Sequence, residues 1–80
     1  MRYAIVIEKA GRNYSAYVPD LPGCVASGST AKRVEKLIKE AISMHIAGMR
    51  EDGLQVPKPS ARATYVRAAV QPRPRSQRAA

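Results

Sequence analysis

The chain has 80 residues, of which 45% are hydrophobic and 25% are charged, and its formal net charge is +8. Such a length allows one small domain at most, and its small core makes oligomerisation or a binding partner a reasonable expectation. A single cysteine excludes an intramolecular disulfide, and no apolar stretch reaches membrane-spanning length. The apolar run at residues 4–7 is too short for a signal-peptide core, so we expect a cytoplasmic protein with a free thiol.

The positive charge is concentrated in the C-terminal third of the chain. Residues 1–56 contain eight Lys/Arg and six Asp/Glu, a difference of +2. Residues 57–80 contain six Lys/Arg and no acidic residue, a difference of +6. This asymmetry indicates either a polyanionic or acidic partner or a solubilising tail.

The N-terminal part of the sequence predicts an antiparallel meander of three strands. Residues 2–8 and 14–18 are rich in strand-forming side chains, and KAGRN between them indicates a hairpin turn in which Gly11 and Asn13 can adopt a positive φ. A short third strand is expected over residues 24–27, after the turn-forming VPDLPG. Both faces of the first strand are apolar, which predicts that it lies inside a sheet covered at least partly on both sides.

Residues 31–50 predict one amphipathic helix. Apolar side chains recur there at steps of three and four residues, and Ser29 or Thr30 can cap its N-terminus. Gly53 is a natural C-terminal stop, and Pro57 prevents the helix from resuming. A helix of about 20 residues is roughly 30 Å long, which lets it lie across a whole small sheet.

The last third of the chain completes the predicted fold. Residues 63–70 (ATYVRAAV) are interpreted as a fourth strand and residues 71–80 as a basic, disordered tail. The result is an α+β fold of order β-β-β-α-β, in which the fourth strand is parallel to the first and the one long helix packs on one sheet face. The other sheet face has no second helix to cover it, and it is the candidate surface for a dimer or a partner.

Several motifs in this order resemble the HicB-type antitoxins of bacterial and archaeal toxin–antitoxin pairs. They are RYAIVIEK, PDLPGC with GST before the helix, and REDG with PKP after it, and the resemblance covers a single domain at residues 1–70. It implies a degenerate ribonuclease H-like fold and the binding of a HicA-like toxin, a small RNA-cleaving protein whose active site the antitoxin masks. It also implies a homodimer or a higher homo-oligomer.

Two features depart from the family pattern. Ten residues follow Val70, too few for the C-terminal DNA-binding domain of many members, so the chain resembles the short, single-domain ones. The chain is also basic overall, whereas a cationic toxin would pair best with an acidic surface. A local acidic patch could still be formed by Glu8, Asp20, Glu51 and Asp52.

The side chains offer no strong catalytic or metal-binding set. Cys24 and His45 are the only cysteine and histidine, so a nucleophile pair is formally possible, but a lone cysteine is more often a small buried hydrophobe. His45 lies on the apolar helix face, where we expect a hydrogen-bonded, partly buried side chain. Glu8 and Asp20 are the only acids of the strand region, too few for two-ion ribonuclease chemistry. We therefore expect no enzyme, no cofactor and no metal.

Two functions remain. The first is an antitoxin that neutralises a HicA-like mRNA-cleaving toxin by occluding its active site. The expected contacts to that toxin are Tyr3, Tyr14, Tyr17 and Asp20. The second is a nucleic-acid-binding accessory protein without catalysis, in which the basic C-terminal segment and the basic helix face hold phosphates. The possible contacts to nucleic acid are Arg62, Arg67, Arg73, Arg75 and Arg78.

Overall fold

The structure is a computed structural model that describes residues 1–70. Its elements are β1 (Val6–Ala10), β2 (Asn13–Tyr17), β3 (Val25–Gly28) and α1 (Ala31–Glu51). The three strands form one antiparallel sheet in the order β1-β2-β3. The helix packs on one face of this sheet, most closely over β3 and least over β1. The predicted α+β class, the meander and the long helix are confirmed.

A two-residue loop joins β1 to β2. Gly11 has φ 61°, in the left-handed region that favours glycine, and Arg12 completes the turn without a positive φ. These signs of φ are those of a type II′ hairpin turn. Asn13 is the first residue of β2 and has no positive φ, so the expectation that it shares this role with Gly11 was wrong.

The helix begins and ends on the expected signals. The N-cap is Thr30, in an extended conformation, and its Oγ1 accepts a hydrogen bond from the Arg33 N–H at 3.0 Å. At the other end Gly53 has φ 70°, and its N–H donates to the carbonyl of Arg50 at 3.1 Å. The next N–H, that of Leu54, donates to the Met49 carbonyl at 2.8 Å. Together these two bonds form a Schellman motif, which satisfies carbonyls that the helix itself leaves free.

The core lies between the sheet and the helix. The fully buried side chains come from β2, the loop before β3 and the helix; they are Ala16, Val18, Leu21, Cys24, Val34 and Ile38. The sheet approaches the helix closely at Gly28, where an added Cβ would lie 3.2 Å from Cγ2 of Val34. A larger residue there would therefore require Val34 to shift by a few tenths of an ångström.

The predicted fourth strand is not found among the described residues. Residues 54–70 contain neither helix nor strand, and the side chains of Tyr65, Val66 and Val70 are exposed. Half of the segment from 63 to 70 is alanine or threonine, so it has little apolar area to gain by folding back within one chain. The ribonuclease H-like assignment depended on this strand and stays a prediction.

Without a fourth strand, β1 is an edge strand of the sheet over the described residues, so the expectation that it lies inside the sheet was wrong. Its two apolar faces are half-buried: Ile7 faces the helix side and Val6 the open side. The predicted tail at residues 71–80 lies outside the described residues. Within residues 1–70, no helix is long and apolar enough to cross a membrane.

Candidate partner-binding site

The stretch VPDLPGC, between β2 and β3, is two consecutive β-turns. The Leu21 N–H donates to the Val18 carbonyl at 3.0 Å, and the Cys24 N–H donates to the Leu21 carbonyl at 3.1 Å. Proline stands at the second position of each turn, where its fixed φ suits the backbone. Gly23 follows with φ 84°, as the third position of a type II turn requires. The loop closes with a bond from the Val18 N–H to the Cys24 carbonyl at 3.2 Å, and it buries Leu21 in the core.

Cys24 is a core side chain rather than a nucleophile. It is a free cysteine and is buried, and this burial raises the pKa of its thiol above the ordinary value. A raised pKa keeps the thiol protonated at neutral pH, whereas a nucleophilic cysteine needs its thiolate. Cys24 and His45 do line the same shallow groove, but among residues 1–70 no hydrogen bond joins them. In the same range no group of three His, Cys, Asp or Glu side chains could hold a metal ion.

Asp20 ties the chain after the helix to the loop before β3. Its carboxylate accepts bonds from the Ser60 N–H at 2.9 Å, the Ser60 Oγ–H at 2.7 Å and the Ala61 N–H at 2.9 Å. These bonds, that of Ala61 first, hold the pKa of the Asp20 carboxyl below its ordinary value, because they favour the ionised form. The Asp20 side chain therefore has a structural role within the fold.

Two of the four tyrosines also serve the fold. The Tyr3 hydroxyl donates to the Pro57 carbonyl, and this bond attaches the residues before β1 to the chain after the helix. Tyr14 pairs with Gly28 and packs against the core on the helix side of the sheet. Neither ring therefore lies on the open face of the sheet.

The open face of the sheet carries one apolar row across all three strands. Tyr17 lies opposite Val6 on one side and opposite Val25 on the other. Tyr17 is 43% exposed and Val25 is 64% exposed. Since cross-strand partners point to the same side of a sheet, these two exposed side chains and the half-buried Val6 form one continuous row. We call Val6, Tyr17 and Val25 the open-face row.

A polar row lies beside the open-face row. It consists of Glu8, Ser15 and Ser27, which oppose each other across the same three strands. Alternation along a strand puts both rows on one face, since their members are two residues apart. The open face thus combines an apolar row with a polar margin that includes one carboxylate.

The structure brings only one of the predicted toxin contacts to this face. Tyr17 is at the centre of the open-face row, whereas Tyr3, Tyr14 and Asp20 make contacts inside the fold. Val6 and Val25 were missed as contacts, although strict alternation along the strands is the signal that places them beside Tyr17.

The predicted nucleic-acid contacts fall into two groups. Arg62 and Arg67 are exposed in the segment after the helix. The other three, Arg73, Arg75 and Arg78, lie outside the described residues. The described structure therefore shows two exposed arginines five positions apart, of which Arg62 lines a shallow pocket together with Arg2.

Comparison with known proteins decides the family. Residues 3–71 match the family model described as HicB-like antitoxin of bacterial toxin-antitoxin system. The chain belongs to the HicB-like antitoxins. The motif resemblance found in the sequence is thereby confirmed, and the role that this family indicates is a non-catalytic one.

Relatives and a solved structure agree with this assignment. An uncharacterized 14.9 kDa protein from the rep-hol intergenic region of Haemophilus phage HP1 is 44% identical over 66 residues, which are 82% of this chain and 50% of the relative. A UPF0150 protein of Helicobacter pylori is 41% identical over 49 residues, 61% of this chain and 68% of that protein. A chain of the HicA3 and HicB3 toxin-antitoxin complex superposes with a TM-score of 0.65 and 32% identity, covering 74% of this HicB-like chain and 70% of the other. The chain thus spans half the length of the phage relative.

Proposed function

We propose that this HicB-like chain is the antitoxin of a type II toxin–antitoxin pair, and that it neutralises a HicA-like mRNA-cleaving toxin by binding over the toxin's active site. The observation that carries this proposal is the family match over residues 3–71. The likeness to a chain of a solved toxin-antitoxin complex supports it. The proposed location is the cytoplasm, since the proposed toxin acts on mRNA.

The open-face row is the proposed toxin contact. Protein interfaces typically combine an apolar centre with a polar rim, and tyrosine is among the residues that contribute most binding energy. Tyr17, flanked by Val6 and Val25, has this arrangement, and the polar row provides the rim. Tyr3, Tyr14 and Asp20 contribute indirectly in this proposal, since their contacts hold the fold that presents the row.

Charge also favours the open face over the helix for a cationic toxin. Glu8 lies on the open face and accompanies the apolar row. The outward surface of the helix instead carries Lys32, Lys36 and Lys39 against two exposed acids, Glu35 and Glu40, and this excess of positive charge disfavours a basic protein. Opposite charge at an interface margin mainly accelerates association and selects the partner.

The experiment is an mRNA cleavage assay with the purified toxin encoded beside this chain. Increasing amounts of the chain should abolish cleavage at about one antitoxin per toxin. Tyr17→Ala should raise the concentration needed for half-protection about 30-fold, because a hot-spot side chain is worth about 2 kcal/mol. Tyr65→Ala is the matched control, since Tyr65 is fully exposed outside the sheet, and its effect should be less than twofold.

Two results would contradict the proposal. One is an adjacent gene product that neither cleaves RNA nor co-purifies with this chain. The other is that the chain protects the RNA from cleavage by binding the RNA itself. This binding would appear as a mobility shift of the RNA when no toxin is present. That second result would instead favour the nucleic-acid-binding function, with its expected loss of affinity as salt rises.

A further inference from the structure

Two arginines that are far apart in the sequence, Arg2 and Arg62, line the same shallow pocket. The lining comes from the residues before β1 and from the segment after the helix; its members are Arg2, Tyr3, Ala4, Ala61, Arg62 and Ala63. The two arginines are the charged side chains of this lining, and both are exposed. We call it the arginine pocket.

Hydrogen bonds between distant residues hold both walls of the arginine pocket in place. On one wall, the Tyr3 hydroxyl donates to the Pro57 carbonyl. On the other wall, the Ala61 N–H donates to the Asp20 carboxylate at 2.9 Å. Each of these anchored wall residues is the direct sequence neighbour of one of the two arginines. The backbone on both sides is therefore ordered before any ligand arrives, which lowers the entropic cost of binding.

The two guanidinium groups give the pocket a positive charge that its own lining does not balance. Within residues 1–70, no side-chain hydrogen bond involves the guanidinium of Arg2 or Arg62. The Asp20 carboxylate is close to the Ala61 wall, but it is not part of the lining and already accepts three hydrogen bonds. Glu35 borders a different groove, which Arg2 also lines but Arg62 does not. Two like charges at one pocket repel each other, and a bound anion relieves this repulsion.

We propose that the arginine pocket binds the phosphate group of a phosphomonoester, either a free mononucleotide or the phosphorylated end of an RNA. A phosphomonoester carries a charge of about −1.5 to −2 at neutral pH, so two guanidinium groups match it better than they match the single charge of a phosphodiester. Each guanidinium also presents paired N–H donors that fit two phosphate oxygens.

The shape and position of the pocket agree with this ligand. A shallow pocket accommodates the phosphate and leaves the remainder of the ligand at the surface. None of the lining residues belongs to the open-face row, so the phosphate site does not rest on the toxin proposal.

A titration of the 15N-labelled full chain with adenosine 5′-monophosphate, followed by NMR, tests the proposal. The amide signals of Ala61 and Ala63 and the side-chain signals of the two arginines should shift, with a dissociation constant of about 1 mM at low salt, because both arginines are exposed. Adenosine, which lacks the phosphate, should leave these signals in place.

Substitutions separate the pocket from the overall positive charge of the chain. Arg2→Gln and Arg62→Gln should each raise the dissociation constant about 10-fold, because each removes a charge-assisted contact to the phosphate. Arg67→Gln is the matched control, since Arg67 is an exposed arginine of the same segment outside the pocket, and its effect should be less than twofold. Arg62→Lys keeps the charge but loses the paired donors, so its affinity should lie between those of the parent chain and Arg62→Gln. Circular dichroism confirms that all variants keep the helix.

A short RNA with a 5′ phosphate, compared with the same RNA ending in a hydroxyl, distinguishes the two sources of the phosphate. Tighter binding of the phosphorylated RNA than of the mononucleotide indicates the end of an RNA, and equal affinity indicates a free nucleotide. Signals that shift as much with adenosine as with its monophosphate would overturn the proposal. So would a loss of affinity in Arg67→Gln as large as that in Arg62→Gln, because overall charge would then explain the binding. Equal affinity for the two RNAs would also overturn it, since the phosphodiester backbone would then be the ligand.

Discussion

Asp20 and Ser60 are 40 residues apart in the sequence and are joined by two hydrogen bonds, from the Ser60 N–H at 2.9 Å and from the Ser60 Oγ–H at 2.7 Å. The Ala61 N–H adds a third bond to the same carboxylate. Asp20 precedes the helix in the sequence, and Ser60 and Ala61 follow it. The three hydrogen bonds therefore hold the loop before β3 against residues 60–61.

These bonds predict a dependence of stability on acid pH. The pKa of the Asp20 carboxyl is lowered in the folded state from its ordinary 3.8. A depressed carboxyl pKa stabilises the fold above the unfolded value, and this contribution is lost as the pH falls through the lower, folded value. Asp20→Asn should therefore be less stable than the parent chain at neutral pH, and the difference should shrink below about pH 4. Urea unfolding at several pH values measures both chains.

Glu40→Gln is the control for this experiment, because Glu40 is exposed on the helix and accepts none of the side-chain hydrogen bonds among the described residues. Its effect on stability should be small at every pH. Ser60→Ala separates the hydroxyl from the two backbone donors and should show a partial loss. An Asp20→Asn difference that stays constant down to about pH 2 would contradict a role for the ionised carboxylate.

Leu21 should contribute far more stability than its place in a loop suggests. It is 1% exposed and belongs to the core, between the two β-turns of the VPDLPGC stretch. Leu21→Ala should reduce the free energy of unfolding by about 2–5 kcal/mol, which is enough to unfold part of the population of so small a domain. Leu54→Ala is the matched control, since Leu54 is 56% exposed, and should change it by less than about 0.5 kcal/mol. Chemical denaturation measures the free energy of unfolding of both variants. Equal losses in Leu21→Ala and Leu54→Ala would contradict the burial of Leu21.

The local features of this fold were predictable because each has a local signal. The helix, its Thr30 cap and its Gly53 stop follow from residue type and periodicity within a few positions. The lack of a fourth strand among the described residues was not predictable, because strand propensity at residues 63–70 does not determine whether this segment pairs with another strand. Pairing of distant segments depends on the tertiary structure.

The candidate site was predicted only in part for the same reason. Alternation along β2 separates Tyr17 from Tyr14, and the structure puts Tyr17 on the open face. Alternation could not show that Tyr3 would bond Pro57 or that Asp20 would bond Ser60. Those contacts join residues 40 or more positions apart, and nothing in the intervening sequence marks them. The sequence around a polar residue in a turn is the same whether its side chain contacts a partner protein or another part of its own chain.

The N-cap gives a further prediction, since sequence alone left Ser29 and Thr30 as alternatives. The Thr30 hydroxyl accepts the Arg33 N–H, so Thr30→Ala should cost about 1 kcal/mol of stability. Ser29→Ala is the matched control and should cost less than about 0.5 kcal/mol. Thermal unfolding followed at 222 nm compares the variants, and a larger loss for Ser29→Ala would show that the cap is assigned to the wrong residue.

Burial of Cys24 predicts low thiol reactivity and a loss of stability at alkaline pH. The pKa of the thiol is raised from its ordinary 9.0 because burial disfavours the thiolate. The protonated thiol therefore stabilises the fold below about pH 9, and this contribution is lost as the pH rises through the folded value. A thiol-specific dye should react far more slowly with the native chain than with the chain in urea. Cys24→Ala should remove the part of the alkaline loss that comes from the thiol. Fast labelling of the native chain would contradict the burial and would return Cys24 to consideration as a nucleophile beside His45.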